Sequence, residues 1–253
     1  MKSEAVVIGN EFERITYSLN YNRSFSDRVR FSTTNTVSYT KQDEIFLETS
    51  AYYANPHAAR YFMNPTKTPY NDDGTINIDN LGTNYTWLYL HDHNEEWNHM
   101  MRLMSNTFME VDIIENLKFK SLVGMDYVLG HYKSYGNKVH GDSNQEGGTS
   151  FSSIDQDFNM VFQNSLDYRL EFLDNHRIDF KALVEYQQFR SWFLSGYGES
   201  FVTEGLTNIN SAGTNFDAGS SFSDCANVSY LGMANYNYMG KYIVDLTFRR
   251  EGS

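Results

Sequence analysis

Among its 253 residues the chain has one cysteine, three prolines and no long apolar run. Cys225 stands alone, so no internal disulfide can form and no cysteine-paired metal site is available. Its plainest reading is a small residue near a strand start. Without about 18 consecutive apolar residues, no transmembrane helix is encoded. Pro56, Pro65 and Pro69 all fall between residues 45 and 96, so the strand-like stretches carry no residue that breaks a ladder. Basic residues are scarce as well. Lys and Arg number 20 against 32 Asp and Glu, and a net charge of −12 disfavours nucleic acid as a partner. Catalytic signatures are missing too: there is no G-x-S-x-G elbow, no H-E-x-x-H and no glycine-rich phosphate loop. Neither enzyme activity nor a cofactor is expected.

The first residues, MKSEAVVIGNEFER, contain no apolar signal region and no small-residue cleavage site. An exported barrel needs such a signal. The expectation is therefore an internal piece of a longer protein, running out at Arg249-Arg250-Glu251-Gly252-Ser253 directly after a strand-like run.

What the chain does have is aromatic surface. Phe, Tyr and Trp make up 16% of it, yet mean hydropathy is −0.55. That pairing suits a wall in which only alternate residues meet lipid. Residues 14–25 show the pattern: Ile15, Tyr17, Leu19, Tyr21 and Phe25 alternate with Thr16, Ser18, Asn20, Asn22 and Ser24. Successive strand side chains point to opposite faces, so one wall is apolar and the other polar.

The same alternation predicts eight strands in four hairpins. The first pair covers about 13–25 and 28–44, turning at Ser26-Asp27. The second covers about 97–113 and 117–133, turning at Glu115-Asn116. The third sets Ile154, Phe158, Met160, Phe162, Leu166, Tyr168, Leu170 and Phe172 against Asp155, Asp157, Asn159, Gln163, Asp167, Arg169 and Glu171. It turns at Asp174-Asn175 into Ile178, Phe180, Ala182, Val184 and Tyr186. The last pair turns at Met239-Gly240, between Val228–Tyr238 and Tyr242–Phe248. Loops are expected at about 45–96, 135–151 and 195–223, so short turns alternate with long loops. No acidic residue falls mid-strand on the apolar face, and the charges on the polar face require water. The fold class is all-β: a segment of a transmembrane antiparallel β-barrel.

Tyr230-Leu-Gly-Met-Ala-Asn-Tyr-Asn-Tyr-Met-Gly-Lys-Tyr-Ile-Val-Asp-Leu-Thr-Phe-Arg-Arg-Glu-Gly-Ser253 resembles a barrel signature of the SusC/RagA family of TonB-dependent outer-membrane transporters. The likeness rests on the Y-x-Y strand end, the K-Y after a short turn and a close resembling R-x-D-G-S, with Glu251 in place of the usual aspartate. Asn106-Thr-Phe-Met-Glu110 through Asn116-Leu-Lys-Phe-Lys120 and Gly124, and Tyr17-Ser-Leu-Asn-Tyr-Asn-Arg-Ser-Phe25, are similar to the family as well. The resemblance implies about eight of the roughly 22 strands of a large barrel, without its signal peptide, plug domain or remaining strands. It implies energised import through the plug and the TonB complex. The cargo would be an oligosaccharide or a peptide, captured with a SusD-like surface lipoprotein. Alternatives are a receptor for a siderophore or other small chelate, and an outer-membrane adhesin.

Three groups of residues stand out as candidate sites. Loop 45–96 is rich in aromatics, and Tyr52, Tyr53, Tyr61, Tyr70, Trp87 and Tyr89 are the candidates for ligand or partner contact. Packing of the loop upon itself is the competing reading. Asn71–Asp79 lacks the ligand spacing of a calcium loop and reads as a β-turn at Asp73-Gly74. His91 and His93 could share a face on an extended chain, but no second ligand pair accompanies them, so no metal site is expected.

Overall fold

The computed structural model describes residues 1–4, 9–44, 56, 61, 64, 66–78, 86–173 and 175–252. They form one antiparallel sheet in sequence order: β1 (Lys2–Glu4), β2 (Glu11–Ser26), β3 (Val29–Asp43), β4 (Glu95–Ile114), β5 (Leu117–Gly136), β6 (Thr149–Phe172), β7 (His176–Phe201), β8 (Ala212–Tyr238) and β9 (Tyr242–Gly252). Each strand pairs only with its neighbours in sequence. Among the described residues β1 and β9 do not meet, so the sheet is an open arc with two edges.

The eight expected strands are all present, and β1 adds a ninth by pairing Lys2–Glu4 with Glu11–Glu13. Tight turns join β2 to β3, β4 to β5, β6 to β7 and β8 to β9, and longer segments join the hairpins to one another. Asp27-Arg28 and Glu115-Asn116 serve the first two hairpins, one residue later than expected for the first. At the last hairpin Met239 (φ 55°) and Gly240 (φ 70°) are both left-handed, and the Lys241 N–H donates to the Tyr238 carbonyl at 2.9 Å. Two left-handed central residues match the twist of antiparallel strands, which is why glycine stands there.

One expectation is overturned. The long loop placed at 195–223 is mostly strand: β7 continues to Phe201 and β8 begins at Ala212, leaving only residues 202–211 between them. These strands run to 26 and 27 residues, whereas about 9–11 cross a bilayer. Beyond the bilayer both faces are wet, so the apolar–polar alternation stops although the hydrogen-bonded ladder does not. The face that carries Phe180, Val184 and Tyr186 continues as Gln188 and Arg190, with Arg190 facing Asp224 of β8. Cys225 therefore lies within β8 rather than at its start, and it is exposed.

The apolar belt crosses the ladder diagonally. On β3 it runs from Val29 to Tyr39, and on β9 from Tyr242 to Phe248. Register aligns Phe248 with Gly232, Ala182, Leu166, Phe119, Val111 and finally Val29. The outer end of the belt on β9 is thus level with its inner end on β3. Strands tilted to the membrane normal require such a drift, because a horizontal lipid slab then cuts each strand at a different register.

Exposure of this face is high for its chemistry. Ile15, Tyr17, Phe25, Leu246 and Phe248 are all more than 60% exposed. Among the described residues very few apolar side chains are buried, Leu90, Tyr135 and Phe201 among them. A water-soluble sheet would have to cover such a face, and lipid covers it here.

Candidate functional site

Two surfaces are built for contact: the polar wall of the sheet and the cap that its long ends support. The polar wall carries a band of charge beside the tight turns. Arg30 donates to Glu110 and, at 2.8 Å, to Asp112. Lys120 meets Asp167 at 2.9 Å, and Arg169 and Arg177 both donate to Asp179. Farther along, Arg102 grips Asp126 with two parallel hydrogen bonds of 2.9 and 2.6 Å. Asp155 then stands between Gly130 and Phe193, and Asp157 between Val128 and Ser191. Carboxylates and guanidinium groups at this density stay ionised only beside water, so this wall lines an aqueous lumen.

The cap is assembled from three external segments. Residues expected to be plain loop contain a helix, α1 (Trp87–His93), whose Leu90 is buried. Its first free N–H, from Thr86, donates to Nε2 of His140 at 2.9 Å. His140 belongs to the second segment, 137–148, where Asn137 acts as the organiser. The Asn137 amide oxygen accepts from the N–H groups of Val139 and His140, while its NH2 and backbone N–H both donate to the Asn94 side chain. The third segment, 202–211, is tied down by Tyr89, whose hydroxyl donates to Glu204 at 2.9 Å. Ser150 donates to the Thr207 carbonyl, and Lys133 bridges Glu95 and Thr207 at 2.7 and 2.6 Å. Under these contacts Tyr135 and Phe201 meet edge-to-face at 5.2 Å.

Burial and the Glu204 carboxylate, in that order, hold the Tyr89 phenol well above its usual value, so it stays a hydrogen-bond donor through the physiological range. Tyr89 also stacks on His93, with ring centroids 3.9 Å apart. Of the sequence candidates, then, Tyr89 is built into the cap, and Trp87 lies two residues away on the same helix. Tyr61 and Tyr70 are 70% and 52% exposed. Tyr52 and Tyr53 lie outside the described residues. His91 and His93 sit on a helix rather than an extended chain, and a separation of two places them on opposite sides of it. The Asp73-Gly74 turn is as expected: Gly74 has φ +84°, and Asp73 Oδ1 accepts from the Thr75 N–H and hydroxyl. Those bonds, the hydroxyl first, hold the Asp73 carboxyl below its usual range.

Glu204, His140 and Asn137 are site residues that sequence reasoning passed over. Each sits in a segment without periodicity, and its role depends on contacts across more than 40 positions. The one local signal was the Gly147-Gly148 pair. Both residues are left-handed (φ 71° and 93°), and their carbonyls receive the N–H groups of Ser200 and Phe201.

A sheet with one wall for lipid and one for water is the wall of a transmembrane β-barrel. No family model matches the chain. A curated relative, TonB-dependent receptor P3 of Formosa agariphila, is 25% identical over 202 residues, which is 78% of this chain and 20% of the relative. The solved RagAB peptide transporter superposes over 96% of this chain and 28% of that one, with a TM-score of 0.77 at 14% identity. The RagAB importer in its open-open state gives 0.76 at 15% identity. The chain has the fold of part of such a barrel and is similar to a TonB-dependent receptor, spanning about a fifth of the length of the curated relative it matches.

Proposed function

We propose that this chain forms part of the barrel of a SusC-like TonB-dependent transporter in the outer membrane of a Bacteroidetes-like cell. Its cargo is a large nutrient, either an oligosaccharide or a peptide. In this reading the plug domain and the remaining strands belong to the same whole protein, the TonB complex acts through that plug, and a SusD-like lipoprotein sits on the cap. The observation that carries the reading is the height of the wall. β6, β7 and β8 rise well beyond the lipid belt and end in a packed cap rather than in free loops. A tall wall that ends in a packed cap offers a second protein a platform, which suits a bulky cargo held between the two. RagAB, whose barrel wall this chain resembles, is a peptide transporter, and that favours peptide among the two cargo classes. The exposed Tyr61 and Tyr70, with Trp87, and Tyr52 and Tyr53 of the same loop, are the proposed aromatic contacts, and Tyr89 ties α1 to Glu204.

Deletion of the gene that encodes the whole protein tests this. Uptake of labelled oligopeptides or oligosaccharides should fall to background and should also cease in the parent strain when the proton gradient is dissipated. Unchanged uptake of both cargoes, with loss of growth only under iron limitation, would replace this reading with the chelate receptor.

A further inference from the structure

On three neighbouring strands the first ionisable side chain outward of the apolar belt is a base. On β3, Lys41 follows Tyr39. On β4, His99 precedes Met101. On β5, His131 follows Leu129. Register places the three in a single row, with Lys41 opposite His99 and His99 opposite His131. Adjacent strands lie about 4.8 Å apart, so the row spans about 10 Å. We propose that this row binds the phosphate of a lipid head group in the leaflet on the cap side of the membrane.

The row is held in place. The indole of Trp97 stacks on His99 at 4.3 Å and meets His131 edge-on at 4.8 Å, and Tyr39 flanks His99 at 6.2 Å. Indole and phenol rings are the side chains that settle at a membrane interface, which is where the end of the belt puts these two. Ser152 holds the His131 ring in place. Its hydroxyl lies 3.2 Å from His131 Nε2 and 3.2 Å from the Tyr132 carbonyl oxygen. Among the described residues Lys41 has no carboxylate within ion-pair distance. Glu13 faces it across the β2–β3 ladder, and Asp43 is the next residue on its own face. These acids bound the row on the β2 side and leave the β5 side open.

Elsewhere on the wall the same boundary is less basic. Arg190 is tied to Asp224 at 3.0 Å, and Arg250 stands singly on the edge strand. A phosphomonoester fits the row better than a zwitterionic head group, because it brings two negative charges and no cation to three bases. An acyl chain below it then lies along Val37, Met101, Leu103 and Leu129. The proposal rests on the barrel reading given above.

The test uses the intact protein that carries this chain, purified in a zwitterionic detergent. Titration with phosphatidic acid or phosphatidylcholine, read as retained lipid by native mass spectrometry, compares three forms: wild type, the triple variant Lys41→Gln, His99→Gln, His131→Gln, and Arg190→Gln as control. Wild type and control should retain phosphatidic acid in preference to phosphatidylcholine. The triple variant should bind it about fivefold or more weakly, since one lysine near an anionic surface contributes about fivefold and the two imidazoles add hydrogen bonds to the phosphate. Equal retention by the triple variant overturns the proposal. Displacement of the lipid by inorganic phosphate at equal concentration also overturns it, because the site then selects a free anion. A protein that shows no heat-dependent shift in gel mobility and does not enter vesicles refutes the barrel reading itself. That outcome is separate from loss of lipid preference in a properly inserted barrel.

Discussion

The lower and upper halves of this wall are built from the same ladder but are stabilised in opposite ways. Below, beside the tight turns, cross-strand ion pairs tie the lumen wall together while the apolar face is left bare for lipid. Above, the strands leave the bilayer, and the ends of β4 to β8 fold α1 and two connecting segments over a small buried core of Leu90, Tyr135 and Phe201. The lower half takes its stability from its solvent, and the upper half from its own contacts. The lesson is that one strand can obey two burial rules along its length, so a single pattern does not describe it.

The largest effect should come from violating the lower rule. Val184 and Gln187 lie on opposite faces of β7, close in sequence and both within the span of the sheet. Val184→Arg puts a cation in the lipid belt and should cost about 2–4 kcal/mol, enough to deplete the folded barrel from the membrane fraction. Gln187→Arg faces the lumen and should leave the amount of heat-resistant barrel unchanged. Equal behaviour of the two variants would mean that the apolar face is not the lipid face.

The upper rule is tested by Gly136. A Cβ at this position would lie 2.1 Å from Ser143 Oγ and 2.7 Å from Ser143 Cβ. Ser143 is itself buried and hydrogen-bonded to Thr149 at 2.7 Å, so it cannot swing away freely. Gly136→Ala should cost about 1–3 kcal/mol by overpacking, and segment 137–148 should become sensitive to protease. Adding Ser143→Gly should restore resistance. The barrel should remain intact in both variants, because Gly136 is the last residue of β5 and lies beyond the belt.

This division also explains what could be read from the sequence. In the lower half the solvent imposes alternation on every strand, so Ile15–Phe25 or Ile154–Phe172 declare both the strand and the identity of each face. The diagonal drift of the belt was implicit in loop lengths but needed register to be seen. In the upper half nothing imposes a period. Residues 195–201 and 212–223 are strand because β7 and β8 hydrogen-bond each other, and sequences such as Gly219-Ser220-Ser221 read as loop. The α1 helix escaped notice for a related reason: at Trp87–His93 it is only seven residues long, too short to show a 3.6-residue stripe. The aromatic richness of the 45–96 loop was legible. That Tyr89 would bond a glutamate 115 positions away was not.

The smallest effect belongs to that bond, and it sharpens the comparison because it should be felt in the cap alone. Tyr89→Phe removes one partly exposed hydrogen bond to Glu204, at a cost of no more than about 1 kcal/mol. Amide exchange in segment 202–211 should rise several-fold, while the β6–β7 ladder within the belt should exchange as before. Alkaline pH should act in the same direction. The Tyr89 phenol is held above its ordinary value near 10, so the folded cap favours the protonated ring. Its contribution is therefore complete below about pH 10 and declines as pH rises from there toward the folded value. In Tyr89→Phe this part of the alkaline loosening should vanish. A variant that loosens the cap and the belt together would show that the two halves are one cooperative unit and that their different burial rules do not divide the wall energetically.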